Sequence, residues 1–298
     1  MDLVLTLIVP PQSGALDDEM IDSARAALRA GGAKTAETCW LASGEACDLI
    51  FTGITPEQAD KALEKCDVAA DLVVQPVLGR AKKLLIADMD STIVTGETLD
   101  ELADFAGAKD RVAAITARAM NGELDFEAAL DERVSLLAGM PVAMLDEAWK
   151  RVEYTGGART LVATMRANGA YAALVSGGFD FFTNAVRREL GFDFDQANVL
   201  LTDDGKTLTG KVKKPVLDRQ AKVDALQKLS AQNGITPADA IAVGDGANDL
   251  QMISLAGTGV AFHAKPSVQA QARIRINHGD LTALLYVQGY TRDQFVAV

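Results

Sequence analysis

A pair of carboxylates directly follows a short apolar run, and the rest of the chain is organised around it. The run Leu84-Leu85-Ile86-Ala87 has no polar alternation, which predicts a strand buried on both faces. Asp88 and Asp90 come next, followed by Ser91-Thr92, which is suited to a turn. In an open α/β sheet the ligand crevice lies beyond the carboxyl ends of the strands. Because two acids in one site repel each other, this placement predicts a divalent cation and a reaction.

Nucleophilic attack and proton transfer are the reactions open to these two side chains. Asp88, at the end of the strand, can attack phosphorus and form an aspartyl-phosphate. Asp90 can protonate a leaving alkoxide and later take a proton from water. An Asp-x-Asp pair alone is more often a turn or a metal site, so the other motifs have to decide.

Two more predicted strands end in glycine-containing motifs. Ser176-Gly177-Gly178 follows an apolar run and precedes a helix, so the Ser176 hydroxyl and the backbone N–H groups suit a phosphate. In the second motif, residues 244–249, Asp245 supplies a hard oxygen ligand for Mg²⁺ and Asn248 can donate to phosphate. Asp249 can hold metal-bound water or orient a lysine from the second shell. This motif lacks the third glycine of a dinucleotide site and the glutamate of an EF-hand.

A lysine that neutralises a transferring phosphoryl group is the remaining requirement. Lys222 lies in the first turn of a helix predicted over 219–232, where its charge runs against the helix dipole. That position indicates a specific task, although a lysine in such a place is usually a solvated surface residue. Lys211, Lys213 and Lys214 are competitors for the role.

The composition excludes several classes of protein. The 298 residues carry a formal net charge of −12, which argues against nucleic acid or an anionic membrane as the main partner. A phosphorylated small molecule stays compatible, because a local metal ion and lysine dominate the field of one site. The two histidines, His263 and His278, make a Ser-His-Asp triad, a histidine nucleophile or a His-rich zinc site hard to build.

The cysteines and the first residues indicate a cytoplasmic protein. Cys39, Cys47 and Cys66 are odd in number and lack metal-ligand spacing, which is typical of a reducing compartment. Cys39 and Cys47 could face each other across a hairpin, but we expect reduced thiols. The start Met1-Asp2-Leu3 lacks the positive charge of a signal peptide, and no run reaches the ~18 apolar residues of a membrane span.

The hydrophobic pattern divides the chain into two domains. Residues 1–78 follow the order βαββαβ, which predicts a ferredoxin-like α+β domain. Its pattern resembles the ACT-type regulatory modules, so it is either a structural or homodimerising appendage or a site for an amino-acid effector. Residues 79–298 predict an α/β fold with a doubly wound parallel sheet. A helical block at about 96–157 indicates a cap inserted over the crevice.

The motifs at 88–92, 176–178, 222 and 244–249 occur in a characteristic order. In this combination the chain resembles the haloacid dehalogenase-like phosphatase superfamily, and residues 84 to about 290 resemble its phosphoserine-hydrolysing branch. The resemblance implies a HAD-like Rossmannoid core, with Asp88 as nucleophile and Asp90 as general acid/base. It also implies Mg²⁺ bound by Asp88, the main-chain carbonyl of Asp90, and Asp245.

The resemblance assigns substrate recognition to four residues of the cap. Glu97 matches the contact to the substrate ammonium, and Arg133 matches the partner of the substrate carboxylate. Opposite charge and the guanidinium fork agree with both roles. Met120 and Phe126 match apolar residues that close over the site. Without the resemblance, all four would be ordinary core or surface residues of the cap.

The predicted function is Mg²⁺-dependent hydrolysis of O-phospho-L-serine, which by resemblance is the last step of L-serine biosynthesis. The phosphoryl oxygens would be held by Ser176, Gly177, Lys222 and Asn248. One alternative is the same chemistry on another phosphate ester, or phosphotransfer to an alcohol. The other is a non-enzymatic amino-acid sensor with a relic catalytic half, which the intact motif set disfavours.

Overall fold

A computed structural model of the chain describes residues 2–120 and 123–297, apart from the side chain of Met120. The strands are β1 (Leu3–Ile8), β2 (Lys34–Ala42), β3 (Ala46–Thr52), β4 (Asp71–Pro76), β5 (Leu84–Ala87), β6 (Tyr171–Phe179), β7 (Phe194–Asn198), β8 (Leu200–Asp203), β9 (Thr207–Val212), β10 (Ala240–Gly244), β11 (Thr258–Phe262) and β12 (Ile274–Ile276). The helices are α1 (Asp18–Ala30), α2 (Pro56–Leu63), α3 (Thr98–Phe105), α4 (Lys109–Met120), α5 (Phe126–Ser135), α6 (Ala143–Trp149), α7 (Ala158–Ala167), α8 (Asp180–Leu190), α9 (Arg219–Gln232), α10 (Leu250–Leu255), α11 (Pro266–Gln269) and α12 (Ala283–Val287).

The first four strands form an antiparallel sheet in the order β2-β3-β1-β4. Its helices begin where local capping predicts. Asp17 accepts the Met20 N–H at 2.9 Å at the start of α1, and Thr55 and Gln58 form a capping box at the start of α2. The predicted βαββαβ order is confirmed, and the sheet fits a ferredoxin-like domain.

The remaining large sheet has six parallel strands in the order β12-β11-β10-β5-β6-β7. Helices cover both faces. Leu84 and Ile86 of β5 share a core with Leu226 of α9, whereas Leu85 and Ala87 share the opposite core with α7. This two-sided burial explains the absence of polar alternation, and the predicted doubly wound sheet is confirmed.

Two strands of this sheet, β7 and β12, were not predicted. β7 is an edge strand whose sequence, Phe-Asp-Gln-Ala-Asn, is largely half-buried and mostly polar, so it carries no apolar signal. β12 has only three residues. The other strands were predicted from apolar runs. β7 lacks such a run because it lies at the edge of the sheet, and β12 lacks one because it is short.

The cap consists of α3 to α6 together with a hairpin from later in the chain. The hairpin, β8–β9, turns at Asp204 and Gly205, both with positive φ, as the Asp-Gly signal predicts. Backbone bonds join it to the segment after α5: the Gly139 N–H donates to the Leu208 carbonyl at 2.8 Å. The helical block at 96–157 therefore has a β-hairpin packed against it, which the sequence pattern did not indicate.

The two sheets meet at a seam centred on Arg80. Its guanidinium contacts Asp48 at 2.5 Å and the Thr6 hydroxyl at 3.0 Å on the antiparallel sheet. It also donates to the carbonyls of Tyr286 at 2.9 Å and Val287 at 3.0 Å, in α12. Apolar residues from both sheets share one core cluster around this contact.

All three cysteines are free. Cys39 lies opposite Asp48 and Cys47 lies opposite Trp40, so the two thiols are not cross-strand partners. Burial raises the pKa of Cys47 to about 12, which keeps its thiol protonated. None of the helices in the described part of the chain is both long and apolar enough to cross a membrane.

Candidate active site

Three adjacent strands of the parallel sheet, β10, β5 and β6, bring the motifs to one cavity of about 570 Å³. Its wall combines residues from the carboxyl ends of these strands with residues from the cap. The predicted site residues in the wall are Asp88, Asp90, Glu97, Phe126, Arg133, Ser176, Gly177, Asp245 and Asn248. A larger cleft of about 790 Å³, between α8 and the hairpin, shares none of these residues.

Lys222 and Asp249 lie directly beneath the cavity. The Lys222 Nζ is 2.7 Å from Asp88 Oδ1 and 2.6 Å from Asp249 Oδ1, and the lysine side chain is 2% exposed. Although burial opposes its charge, the two carboxylates raise the pKa of Lys222 and keep it an ammonium ion. The second oxygen of Asp249 accepts the Gly246 N–H at 3.0 Å.

The competing lysines lie elsewhere. Lys214 forms ion pairs with Glu127 and Asp131 on the cap surface, both at 2.7 Å. Lys211 and Lys213 are exposed. Among the residues that the structure describes, Lys222, at 2%, is the least exposed lysine or arginine.

The carboxylates near Lys222 form a donor set suited to a hard cation. One oxygen each from Asp88, Asp245 and Asp249 lies within 4.8 Å of the others. Burial, with the charges of Asp249 and Glu97, raises the pKa of Asp245 to about 6. Burial and Asp249 also raise the pKa of Asp88, against the opposing effect of Lys222. This excess of buried negative charge and the oxygen ligands fit a divalent metal ion.

Asp90 is fixed by backbone on two sides. Its Oδ1 accepts the Thr98 N–H at 3.0 Å, and a Cβ atom at Gly178 would lie only 2.7 Å from its Oδ2. Only glycine therefore fits at position 178 without displacing the Asp90 carboxylate. Burial and the charge of Glu97 raise the pKa of Asp90 to about 7, close to the value at which a carboxyl group best exchanges protons at neutral pH.

The cap residues face these carboxylates across the cavity. Phe126 is 38% exposed, and its Cζ lies 3.6 Å from the point where a side chain on Gly177 would begin. Arg133 is half-buried and donates from Nε to the Ala129 carbonyl at 3.1 Å, and its terminal nitrogens have no hydrogen-bond acceptor among the described residues. The predicted Met120 side chain lies outside the described residues.

Two charged residues in the cavity wall, Asp100 and Lys265, were not predicted. Lys265 follows the end of β11 by three residues, so the strand-end rule used for Asp88 would have found it. Asp100 lies one helical turn after Glu97. Burial lowers the pKa of Arg133, and both acids oppose that effect, which places them near its guanidinium.

Comparison with known proteins agrees with this geometry. The haloacid dehalogenase-like hydrolase family model matches residues 85–254, more than half of the chain. A phosphoserine phosphatase from Streptomyces coelicolor is 41% identical over 86% of this chain and 61% of its own length. A solved probable phosphoserine phosphatase from Vibrio cholerae is 30% identical, with a TM-score of 0.77 over 97% of this chain and 86% of that one.

A further solved structure is a phosphoserine phosphatase with an analogue of a phospho-aspartyl intermediate. It is 44% identical, with a TM-score of 0.64 over 69% of this chain and 98% of that one. The chain spans only 53% to 63% of the length of several curated relatives. The predicted resemblance is confirmed: the chain belongs to the haloacid dehalogenase-like hydrolase family and, within it, groups with the phosphoserine phosphatases.

Proposed function

We propose that this protein hydrolyses O-phospho-L-serine to L-serine and phosphate through a phosphoryl group carried by Asp88. The observation that carries the proposal is the buried contact of 2.7 Å between Asp88 and Lys222, at the floor of a cavity that Glu97 and Arg133 also line. The relatives that bear the name phosphoserine phosphatase support the same substrate.

In the first step, a carboxylate oxygen of Asp88 attacks phosphorus and the bond from phosphorus to the serine oxygen breaks. Asp90, with its pKa raised to about 7, gives its proton to that oxygen. In the second step, Asp90 takes a proton from water as the water oxygen attacks phosphorus, which frees phosphate and restores the Asp88 carboxylate. Lys222 keeps Asp88 in place through both steps.

The phosphoryl oxygens are held by Ser176, Gly177, Lys222 and Asn248. Ser176 accepts the Gly178 N–H at 2.9 Å, so its own hydroxyl proton remains for the phosphoryl group. Lys222 compensates the charge that the phosphoryl group brings next to Asp88.

We also propose Mg²⁺ as the cation, held by Asp88, Asp245 and the Asp90 carbonyl. Asp249 is better suited to a second-shell role, because both of its oxygens already accept protein hydrogen bonds. When bound, the cation supplies charge neutralisation to the phosphoryl oxygens.

Selection of the amino acid falls to the cap. Glu97 pairs with the substrate ammonium and Arg133 with the substrate carboxylate, and Phe126 closes over the ester. The resemblance gives the same role to Met120, whose side chain lies outside the described residues. A closed cap excludes bulk water other than the reacting molecule.

The test is phosphate release with Mg²⁺ across phosphoserine, phosphothreonine, phosphotyrosine and several sugar phosphates. We expect the highest kcat/KM for phosphoserine, no turnover in Asp88→Asn, and normal turnover in the exposed control Asp204→Asn. No release from any ester would favour the sensor alternative. Transfer to added alcohols at the expense of phosphate release would favour a phosphotransferase.

Three finer predictions stay predictions: the domain boundary between residues 78 and 79, a homodimer, and an amino-acid effector at the ACT-like domain.

A further inference from the structure

The carboxylate of Glu97 does not hang freely in the cavity wall. Its Oε1 accepts the Ser91 hydroxyl at 2.9 Å, and the backbone of the same serine closes the loop by donating to the Gly96 carbonyl at 3.1 Å. The second carboxylate oxygen, Oε2, has no such partner among the described residues and lies on a side chain that lines the cavity.

The Glu97 carboxylate binds the Ser91 hydroxyl instead of capping the helix that Glu97 precedes. Glu97 is the N-cap residue of α3, yet its carboxylate makes no capping bond to the helix. The first helical N–H, that of Thr98, is instead satisfied by Asp90 Oδ1 at 3.0 Å. Because Asp90 caps the helix, Glu97 is available for another task and is turned toward Ser91.

The backbone of Ser91 indicates that its side chain matters. Its φ is +56°, in the left-handed region that favours glycine. A glycine at this position would relieve the strain while losing the hydroxyl that, among the described residues, donates to Glu97 Oε1. The presence of a serine at this strained position is explained if its hydroxyl performs a function at the site.

We propose that Ser91 is a positioning residue for recognition of the substrate ammonium. Its hydroxyl occupies Glu97 Oε1 and so orients Oε2 toward the ligand, which reduces the conformational freedom that Glu97 loses on binding. The inference rests on the proposed function, since it assumes a substrate with an ammonium group. It adds Ser91 to the specificity-determining residues without giving it contact with the substrate.

The test compares two esters that differ only in this group: O-phospho-L-serine and the phosphate ester of 3-hydroxypropanoate, which has hydrogen in place of the ammonium. Ser91→Ala removes the hydroxyl and keeps the strained backbone, whereas Ser91→Gly removes the hydroxyl and relieves the strain. In both variants we expect kcat/KM for phosphoserine to fall about tenfold relative to the ammonium-free ester, as expected for loss of a hydrogen bond to a charged group.

Two controls separate this role from a structural one. Asp204→Gly relieves a similar positive φ, +49°, in the distant hairpin and should leave the ratio of the two esters unchanged. In a Glu97→Gln background, Ser91→Ala should change the ratio much less than it does alone, because the oriented carboxylate is already gone. The midpoint temperature of thermal unfolding, Tm, of Ser91→Gly should equal or exceed that of the wild type.

The outcomes distinguish the two proposals. If the wild type prefers phosphoserine and both Ser91 variants keep that preference, the positioning role is wrong while the proposed function stands. A fall of equal size for both esters would also overturn it, since that is the effect of a damaged active site. If the wild type does not hydrolyse phosphoserine, the proposed function fails and the inference fails with it.

Discussion

The acidic residues of the site surround one buried lysine, Lys222, and outnumber it in charge. Asp88 and Asp249 both contact Lys222, and Asp245 adds a third carboxylate within the same few ångströms. Three acids against one base leave a net negative charge that disfavours the ionised form of Asp88. In the proposed mechanism, a bound cation offsets this charge and that of the phosphoryl group.

Arg133 provides a residue-scale test of substrate selection. Arg133→Ala should lower kcat/KM for phosphoserine by roughly 10²-fold, because a charge-assisted pair with the substrate carboxylate is lost. The Arg133→Ala variant should hydrolyse O-phosphoethanolamine, which lacks that carboxylate, nearly as well as the wild type does. The matched control is Arg118→Ala, an exposed cap arginine paired with Glu132. Equal losses on both substrates would remove Arg133 from recognition.

Most residues of the site could be predicted because their positions follow from strand ends. Asp88, Ser176 and Asp245 each come at or just after the end of a buried apolar run, and parallel strands place such ends side by side. Glu97 and Arg133 have no such signal and depended on family resemblance. The contact between Ser91 and Glu97 was not predictable, since a positive φ and a side-chain rotamer leave no trace in a single sequence.

Among the elements, the hairpin β8–β9 determines how the cap is supported. Gly210 in β9 has a φ of +73°, and a Cβ there would lie 2.8 Å from the Ala138 Cβ and 3.1 Å from the Ser135 carbonyl. The hairpin can therefore approach the end of α5, the helix that carries Phe126 and Arg133, only because this residue is glycine.

Replacing this glycine tests the role of the hairpin. Gly210→Ala should lower the free energy of unfolding by about 1–3 kcal/mol and raise KM for phosphoserine, because overpacking displaces α5. The control Gly205→Ala has a similar positive φ with open space around it, so its loss of stability should be smaller and KM unchanged. Chemical denaturation and steady-state kinetics measure both quantities. An unchanged KM in a destabilised Gly210→Ala would show that the hairpin does not position α5.

The elements were predictable where burial is two-sided or where caps are explicit. β5 and β10 are apolar throughout, and α1 and α2 begin at Asp17 and Thr55 as capping rules require. The association of the hairpin with the cap depends on contacts between segments more than sixty residues apart, which local pattern does not encode.

At the scale of the whole molecule, Arg80 is one of the residues that join the antiparallel sheet to the six-stranded parallel sheet and its helices. Arg80 stood in what reads as a short polar linker, so its role was not predictable from the sequence. Its side chain is 10% exposed and its partner Asp48 is 9% exposed, which makes this a buried ion pair with additional bonds to backbone carbonyls. Removing one partner leaves the other charge buried and unpaired.

Arg80→Met should therefore lower the free energy of unfolding by about 3–5 kcal/mol, measured by chemical denaturation. Arg151→Met removes an exposed cap arginine paired with Asp104 and should have a much smaller effect. If Arg80→Met unfolds in two separate transitions, the contacts of Arg80 are what make the two sheets unfold together. A stability equal to the wild type would contradict the role of Arg80 as the joint between them.

The central claim is that the Asp88 carboxylate carries the phosphoryl group, and rapid quenching followed by peptide mass spectrometry tests it most directly. Enzyme mixed with Mg²⁺ and phosphoserine should yield a phosphorylated peptide spanning residues 84–93, sensitive to hydroxylamine as an acyl phosphate is, and absent from Asp88→Asn. Full turnover in Asp88→Asn, or a phosphoryl group found only on another side chain, would contradict the account.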